Sequence, residues 1–525
     1  MISIPTDKLN RLLELRPDGF SGGLTGIEKE SLRVGPDGVI AQTPHPAGLG
    51  SALMHPWITT DYSEALLELI TPPFAGPEPA LAFLAQLQQF VYQRLDDELL
   101  WSGSMPCVVQ GEAGIPIAQY GHSNLGMMKT VYRRGLGYRY GKVMQVIAGT
   151  HYNYSFPQVL WPAWQSVQDD DRPLQAFIAD QYFHTIRNLL RHGWLVPYLF
   201  GASPAVCKSF LCGQPAPRLV IYNEGSYYGP YATSLRMCDI GYQNSREAEL
   251  GFKASYDSVD AYVASLSRAI TTPCPRYAEI GVKVAGDYRQ LNANMLQIEN
   301  EYYSSVRPKQ LPVGNEKPTH ALARRGVRYI ELRSLDINPF DPRGIDETQC
   351  RFLETFMLFC LLADSPPISR EESRDIDVNL DAVCYRGREP GLVLAHAGGN
   401  MTLRDWGSEL CESMAGCAEL LDAHVAGTPY RDALERQSAA IRDPDLTFSA
   451  RVLAEMDEHG EGYFDFARRM STRHQQYFLK LAPDAAQTRI FDTSVIQSLE
   501  EQQALEQAET QSFDDFLQEY FAQTL

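Results

Sequence analysis

The chain has 525 residues, enough to bury a large core, and 44% of them are hydrophobic, which is typical of a folded protein rather than a disordered one. It carries 46 Lys and Arg against 65 Asp and Glu. The resulting formal net charge of -19 repels nucleic-acid phosphates and anionic lipid surfaces, so we expect neither nucleic acid nor a membrane as a partner.

The cysteines and the first residues favour a cytoplasmic protein. The ten cysteines are scattered and match neither the CxxC spacing of zinc and redox sites nor a dense disulfide framework. The first twenty residues mix charged and apolar side chains and lack the apolar core of a signal peptide. The longest apolar run, residues 356–363, is too short to cross a bilayer.

No repeat or low-complexity linker divides the chain, so we predict one domain over residues 1–525. Strand-like segments alternate with Gly- and Pro-rich turns over about residues 20–345, and helical patterns dominate residues 346–525. Residues 347–363 predict a buried helix. After Arg489 there is no Lys or Arg, and this acidic tail predicts an amphipathic helix on the outside of the protein.

Residues 26–34 (GIEKESLRV) predict a strand between two turns. Side chains alternate along a strand, so Glu28 and Glu30 project from the same face. Two carboxylates this close repel each other unless a cation lies between them. The alternative is an edge strand whose carboxylates simply face water.

Residues 59–73 contain Asp61 and place Glu68 inside an apolar run, where an unpaired carboxylate would be costly. We predict a strand that ends at the following proline pair. The alternative is an amphipathic helix that pairs Glu64 with Glu68, and periodicity does not separate the two.

Residues 144–156 show the most regular alternation in the chain and predict a long strand with one packed face and one polar face. The polar face carries His151 and Asn153. The glycine in the middle, Gly149, would let a ligand or another backbone come close. A single histidine is more often a structural hydrogen-bonding residue than a metal ligand, so this segment alone does not define a site.

Residues 327–338 predict a strand on which Glu331 and Arg333 share a face. Such a pair is commonly an ion pair on a sheet surface. Here apolar residues flank it on both sides, which indicates a covered strand, and covered charges need a specific partner.

These strands supply mainly carboxylates with one imidazole and no thiolate, a donor set that suits Mg²⁺ or Mn²⁺ rather than structural zinc. A site that holds several divalent ions would suit a polyphosphate ligand. Arg133, Arg236 and Arg333 are candidates for binding carboxylate or phosphoryl oxygens. A P-loop is absent, because the similar stretch at residues 137–143 has the wrong glycine spacing. The candidate metal ligands are Glu28, Glu30, Asp61, Glu68, His151 and Glu331.

Eight motifs between about residues 20 and 345 resemble the proteobacterial, type 1 class of glutamate–cysteine ligases. They are GIEKESLRV, HPWITTDYSEALLELITPP, QYGHSN, MQVIAGTHYNYSFP, WLVPYLFGASPAVCKSF, YATSLRM, LQIENEYYSSVRPK and YIELRSLDINPFDP. The resemblance implies an α+β fold with a glutamine synthetase-like catalytic core, in which helices wrap a curved, mainly antiparallel sheet, and a helical C-terminal part.

The implied reaction joins the γ-carboxylate of L-glutamate to the amine of L-cysteine through γ-glutamyl phosphate, the first step of glutathione biosynthesis. It implies ATP as co-substrate, and Mg²⁺, or alternatively Mn²⁺, as the metal. The expected partners are these small molecules alone, with the chain acting as a monomer.

The resemblance also implies roles for individual residues. The six candidate ligands would bind metal, and Arg236 and Arg333 would face the transferring phosphoryl group and the glutamate carboxylates. Asn153, with Arg333, would lie close to the nucleotide. Tyr62 stands where the family more often has Phe, which changes the shape of the thiol pocket. The implied cysteine pocket, for which aromatic packing is the alternative explanation, contains Tyr132, Gln145, Tyr242 and Tyr303.

Two alternatives are compatible with these residues, and a third, weaker one explains fewer of them. A ligase of the same fold with another amine acceptor would turn over ATP with glutamate but show little preference for cysteine. A non-catalytic metal- or nucleotide-binding protein would tolerate Glu68→Gln and Glu331→Gln. A two-carboxylate glycosidase explains neither the arginines nor the strand face that carries His151 and Asn153.

Overall fold

The computed structural model of the protein describes residues 6–16, 22–241 and 251–525. Both strands and helices are well represented in these residues, which confirms the α+β class. The strands are β1 (Leu24–Val34), β2 (Ile58–Thr60), β3 (Leu66–Ile70), β4 (Phe74–Ala75), β5 (Leu99–Leu100), β6 (Thr150–Ser155), β7 (Ala205–Cys207), β8 (Val220–Ile221), β9 (Ser226–Tyr228), β10 (Lys283–Val284), β11 (Asp287–Tyr288), β12 (Val306–Lys309), β13 (Tyr329–Leu335), β14 (Val393–His396) and β15 (Gly399–Thr402). The helices are α1 (Thr6–Leu15), α2 (Pro77–Tyr92), α3 (Asn124–Tyr140), α4 (Leu160–Val167), α5 (Leu174–Arg191), α6 (Leu195–Phe200), α7 (Val259–Thr271), α8 (Pro275–Ile280), α9 (Pro318–Arg325), α10 (Glu347–Leu362), α11 (Arg370–Arg386), α12 (Leu403–Asp422), α13 (Pro429–Arg442), α14 (Phe448–His459), α15 (Tyr463–Lys480), α16 (Ala485–Ala508) and α17 (Phe513–Ala522).

An eight-stranded sheet carries most of the candidate residues. Its strands follow the order β12-β13-β6-β1-β3-β2, and β4 and β5 also pair with β1. Each of these pairings is antiparallel, as predicted. Strand β1 is therefore central, with β3 on one edge and β6 on the other.

The strand predicted over residues 144–156 is shorter than expected. Residues 150–155 form β6, but Val143–Val146 form a 3₁₀ turn. The reason lies on β1, because residues 99 and 100 of β5 pair with Arg33 and Val34 and occupy the edge that a longer β6 would need. The prediction was therefore right for the half that carries the polar side chains and wrong for the half that carries Gln145.

The other predicted elements form close to their expected positions. The prediction of strand rather than helix over residues 59–73 is confirmed, but the single strand predicted there is a pair of antiparallel strands, β2 and β3, and Asp61 lies in the turn between them. Strand β3 ends at Ile70, before the proline pair. Helix α10 is buried and begins with a capping box, in which the side chains of Asp346 and Gln349 each accept a hydrogen bond from the other residue's backbone N–H.

Apolar side chains on the back of the sheet pack against helices. Tyr152 of β6 lies on this back face, and its hydroxyl donates to Glu354 of α10 over 3.0 Å. One continuous core cluster includes residues as distant in the chain as Leu12 and Phe491. This packing fixes the sheet, so the polar side chains of the opposite face are held in place.

The cysteines include one pair that sequence spacing did not predict. Cys107 and Cys207 form a disulfide between residues 100 positions apart, and the other eight cysteines are free. In the part of the chain that the structure describes, the helices lack the combined length and apolar character needed to span a bilayer.

Candidate active site

The register of the sheet brings the predicted carboxylates onto one face. Glu28 of β1 lies opposite His151 of β6, and on the other edge of β1, Glu30 lies opposite Glu68 of β3. Glu331 of β13 lies opposite Asn153, also on β6. Four neighbouring strands thus present polar side chains on the same side, because each contributes alternate residues.

Glu28, His151 and Glu331 lie closest together, with one potential ligand atom of each within 4.8 Å of the others. His151 Nδ1 is 3.1 Å from Glu28 Oε2 and 3.7 Å from Glu331 Oε1. Glu331 Oε2 is buried without a hydrogen-bond partner among the described residues, as is Asn153 Oδ1. Buried, unpartnered oxygens are costly. Carboxylate oxygens with one imidazole nitrogen therefore fit a divalent cation such as Mg²⁺ or Mn²⁺.

The other three predicted ligands lie around Glu28, His151 and Glu331, two of them in the cavity lining and one deeper in the protein. Asp61 and Glu68 line the cavity in front of the sheet. Glu30 lies deeper, with its Oε2 accepting a 2.6 Å hydrogen bond from the Gly149 N–H and its Oε1 3.6 Å from His151 Nε2. The structure therefore places all six side chains around one volume, and their role as metal ligands stays a prediction.

Glu68 and Glu331 experience opposite electrostatic environments. Burial raises the pKa of Glu68 well above its ordinary value, and neighbouring carboxylates raise it further. Burial also opposes ionisation of Glu331, but Lys309 and Arg333 outweigh it and hold the pKa of Glu331 well below the ordinary range. A cation bound next to Glu68 would favour its ionised form, whereas Lys309 and Arg333 already favour the ionised form of Glu331.

Cationic side chains offset the carboxylates. Arg333 Nη1 donates to Glu331 Oε1 over 3.0 Å, and Lys309 Nζ lies 3.4 Å from the same oxygen. Lys129 and Arg133 of α3 also line the cavity. Our sequence reasoning missed both lysines. The alternation of residues 306–309, at the end of the LQIENEYYSSVRPK motif, could have placed Lys309 on the same face as Arg307.

Arg236 is buried beneath the cavity rather than in its lining. Its Nη2 donates to the Arg333 carbonyl over 2.9 Å. The guanidinium lies so close to Gly149 that a Cβ added there would be 2.1 Å from Nη2. A group does come close at Gly149, as predicted, but it is an arginine side chain rather than a ligand or another backbone.

The cavity has a volume of about 520 Å³ and continues from the carboxylates into an aromatic region on α3. Tyr132, Gln145 and Tyr303 line it, as does Tyr62. Tyr62 is 1% exposed, and its hydroxyl has no hydrogen-bond partner among the described residues. Tyr242, the fourth residue predicted for the cysteine pocket, lies outside the described residues.

The C-terminal helix α17 forms another wall of the cavity. Phe516 and Tyr520 line it, and both pack in a cluster with Met128 and Val131 of α3. Lys317 Nζ donates to the carbonyls of Phe521 and Gln523 at the end of the helix. The predicted helical tail is confirmed, but the expectation that it only faces solvent is wrong for α17, because its partner surface on α3 is not visible in the tail's own sequence.

The fold and the site together define a class of protein: an α+β protein whose antiparallel sheet presents a carboxylate cluster next to arginines and an aromatic cavity. This arrangement is suited to phosphoryl transfer, which depends on positioning and on neutralising charge.

Comparison with known proteins agrees with this class and narrows it to one family. The family model described as "Glutamate-cysteine ligase" matches residues 12–383. The glutamate–cysteine ligase of Alcanivorax borkumensis is 47% identical over 507 residues, which cover 96% of each chain. The chain therefore belongs to the glutamate–cysteine ligase family.

Two solved structures are also similar. The crystal structure of glutamate–cysteine ligase from Francisella tularensis in complex with AMP has a TM-score of 0.89 and 36% identity, and the match covers 96% of this chain and 98% of that one. A bifunctional glutathione synthetase from Pasteurella multocida has a TM-score of 0.71 and 26% identity, and the match covers 93% of this chain and 57% of that one.

Proposed function

We propose that the protein catalyses the ATP-dependent joining of the γ-carboxylate of L-glutamate to the amine of L-cysteine, the first step of glutathione biosynthesis. Membership of the glutamate–cysteine ligase family supports this activity. The AMP complex of the similar Francisella tularensis protein supports an adenine nucleotide as a ligand. The structural observation that carries the proposal is the convergence of Glu28, His151 and Glu331 next to Arg333 in a cavity with an aromatic end.

The reaction would proceed in two displacements. A γ-carboxylate oxygen of glutamate attacks the γ-phosphorus of ATP, forming γ-glutamyl phosphate and releasing ADP. The cysteine amine then attacks the acyl carbon, forms the amide bond, releases inorganic phosphate and loses a proton. Neither displacement requires an oxidant or a reductant, so the chain needs only to bind, orient and neutralise charge.

The described residues fit those tasks. We propose Glu28, Glu30, Asp61, Glu68, His151 and Glu331 as the residues that hold Mg²⁺ or Mn²⁺. When bound, such ions neutralise phosphate charge. Arg333 lines the cavity and is aimed at Glu331, a position from which its guanidinium would bind phosphoryl or carboxylate oxygens. Arg236 is proposed to support the same region, with Asn153 and Arg333 near the nucleotide.

The aromatic end of the cavity is proposed to bind the acceptor. Tyr132, Gln145 and Tyr303 line it, and we retain Tyr242 in this group from the sequence. The aromatic side chains that line this end would keep water from the acyl phosphate, which would otherwise be hydrolysed without forming a peptide bond.

The domain organisation, the cellular location and the oligomeric state are also proposals. We propose that residues 1–525 form one catalytic domain, with the sheet-containing core over about residues 20–345 and the helical part over 346–525. We also propose that the protein acts in the cytoplasm and as a monomer, with the small-molecule substrates as its only partners.

An acceptor panel tests the function. ADP release would be measured with ATP, Mg²⁺ and glutamate in the presence of each amino acid in turn, and the dipeptide would be identified by mass spectrometry. We expect rapid ADP release and a γ-linked dipeptide with cysteine. Equal ADP release with unrelated amines would instead support a ligase with a different acceptor, and absence of ATP turnover with every acceptor would contradict the proposal.

A further inference from the structure

Asp336, which follows β13, is a buried carboxylate that the proposed chemistry does not use. It is 1% exposed and accepts three hydrogen bonds. The Ala202 N–H donates to Oδ2 over 2.8 Å, and the Ser203 hydroxyl donates to the same oxygen over 2.5 Å. The Ser234 hydroxyl donates to Oδ1 over 2.8 Å. One carboxylate thus joins the residue after β13 to two separate segments of the chain.

The hydrogen bonds continue from Asp336 to Arg236. Ser203 Oγ, which donates to Asp336, also accepts a 3.3 Å hydrogen bond from the Arg236 N–H. The Ser203 carbonyl accepts from the next backbone position, the Leu235 N–H, over 2.8 Å. Ser203 and Ser234 additionally form a β-bridge. The backbone of Arg236 is therefore anchored to Asp336 through a single intervening hydroxyl.

The side chain of Arg236 has little freedom to compensate for a shift of its backbone. It is 2% exposed and lies against Gly149 on one side. Its Nη2 donates to the carbonyl of Arg333, the arginine that lines the cavity. A displacement of the Arg236 backbone would therefore move its guanidinium and disturb its hydrogen bond to the Arg333 carbonyl.

We propose that Asp336 is a positioning residue for Arg236, acting through the Ser203 hydroxyl. The inference rests on the proposed function, in which Arg236 supports binding of the glutamate carboxylates and the transferring phosphoryl group. Asp336 does not touch the substrates in this account. It fixes the position of the Arg236 side chain, which contributes to binding, and small displacements of such a side chain lower the reaction rate strongly.

The test compares Asp336→Asn with a matched buried carboxylate. Glu354 is 2% exposed and accepts hydrogen bonds from Thr25, Tyr152 and Tyr430, but none of these leads to Arg236. We expect Asp336→Asn to lower kcat/KM by about 10²-fold, the cost of a misplacement of about 1 Å. Its KM for glutamate should rise while its KM for cysteine stays unchanged. Glu354→Gln should lose thermal stability without this selective change.

A double-variant comparison separates positioning from general destabilisation. If Asp336 acts through Arg236, adding Asp336→Asn to Arg236→Lys should lower activity no further than Arg236→Lys alone. If the activity losses of the two substitutions multiply in the double variant, or if Asp336→Asn raises all KM values equally, the inference is overturned. Full activity of Arg236→Lys would overturn the proposed role of Arg236 itself, which distinguishes the two failures.

Ser203→Ala provides the test if Asp336→Asn does not fold. It removes the intervening hydroxyl but leaves the carboxylate with the donors Ala202 and Ser234. We expect a smaller rise in the KM for glutamate in the same direction, again without a change in the KM for cysteine. An unchanged KM for glutamate in folded Ser203→Ala would overturn the inference.

Discussion

Two buried tyrosines near Asp61 differ in what their hydroxyls contact. The Tyr120 hydroxyl donates to the Thr60 carbonyl over 2.6 Å, whereas the Tyr62 hydroxyl has no partner among the described residues. The two side chains are equally buried, at 2% and 1% exposed. A made hydrogen bond stabilises the fold modestly, while a buried unpaired hydroxyl destabilises it.

Phenylalanine substitutions at these two positions should therefore have opposite effects. Tyr62→Phe should raise the free energy of unfolding by about 1 kcal/mol, and Tyr120→Phe should lower it by about 1 kcal/mol. Urea unfolding followed by circular dichroism measures both. A loss of stability in both variants would show that the Tyr62 hydroxyl is paired after all.

Lys29 lies on the opposite face of β1 from Glu28 and Glu30, is 3% exposed and donates to Ser31 Oγ. Burial lowers the pKa of Lys29 to about 7, and the charge of Asp341 opposes this only in part. In the unfolded chain a lysine has a pKa of about 10.4. Between these values the unfolded chain binds more protons than the folded one, so stability rises with pH.

Substitution of Lys29 by methionine should remove this rise. Between pH values of about 7 and 9, the unfolding free energy of the wild type relative to Lys29→Met should increase by up to about 1.4 kcal/mol per pH unit. Urea titrations at several pH values measure it. The control is Lys480→Met, an exposed lysine at the end of α15, which should parallel the wild type. Parallel curves for Lys29→Met would contradict a neutral buried amine.

At the scale of the elements, the segment before β6 supports the site although it is not a strand. Gly149 donates its N–H to Glu30, and its carbonyl accepts from the Glu30 N–H over 3.0 Å. The missing side chain makes room for the Arg236 guanidinium. The same backbone thus orients a proposed metal ligand and an arginine.

Adding a methyl group at Gly149 should displace Arg236 without unfolding the sheet. The new Cβ would lie 2.1 Å from Arg236 Nη2, too close to be accommodated in place. We expect Gly149→Ala to lower kcat/KM by at least about tenfold through misplacement of that group. In Gly48→Ala the new Cβ would meet the Arg94 side chain at 3.6 Å, an ordinary contact, so this control should keep its activity. Equal activity of both variants in the coupled ADP assay would contradict the argument.

Local sequence patterns correctly predicted those strands and helices for which no other segment competes for the same hydrogen-bonding edge or packing surface. Alternation placed Glu28, Glu30 and Glu331 on the correct strand faces, and the apolar run of α10 marked a buried helix. Alternation over residues 144–149 was misleading, since β5 occupies the edge of β1 that a longer strand would need. That competition depends on a segment far away in sequence, so periodicity does not report it.

Contacts between distant segments also limited how much of the candidate active site could be predicted from the sequence. The carboxylates stood out because charged residues in covered strands are rare, whereas Asp336 becomes visible only through its contacts. The Cys107–Cys207 disulfide likewise joins positions without a spacing signal. Sequence predicted which side chains are unusual, and the fold determined which of them meet.

At the scale of the whole molecule, the cavity combines strands from the first two thirds of the chain with its last helix. Phe516 and Tyr520 of α17 line the cavity, and Asp514 on the same helix binds Lys283 at the surface. We expect this wall to exclude water from the acyl phosphate, since its packing against α3 is apolar.

Opening that wall should uncouple ATP turnover from peptide bond formation. Phe516→Ala should raise the ratio of ADP released to dipeptide formed above the wild-type value, because water gains access to the intermediate. Parallel assays of ADP and dipeptide measure the ratio. Asp514→Asn, on the exposed side of the helix, should keep the wild-type ratio. A ratio unchanged in Phe516→Ala would contradict a sealing role for α17.

Titration with Mn²⁺, followed by electron paramagnetic resonance, tests most directly whether the carboxylates of β1 and β13, together with the imidazole of β6, hold a divalent cation. We predict that the wild type binds Mn²⁺ and that Glu331→Gln weakens binding by at least about tenfold, the lower end of what outer-shell substitutions cost at metal sites. Glu354→Gln, which alters a buried carboxylate behind the sheet, should bind as the wild type does. Equal Mn²⁺ affinity in Glu331→Gln and the wild type would contradict the account.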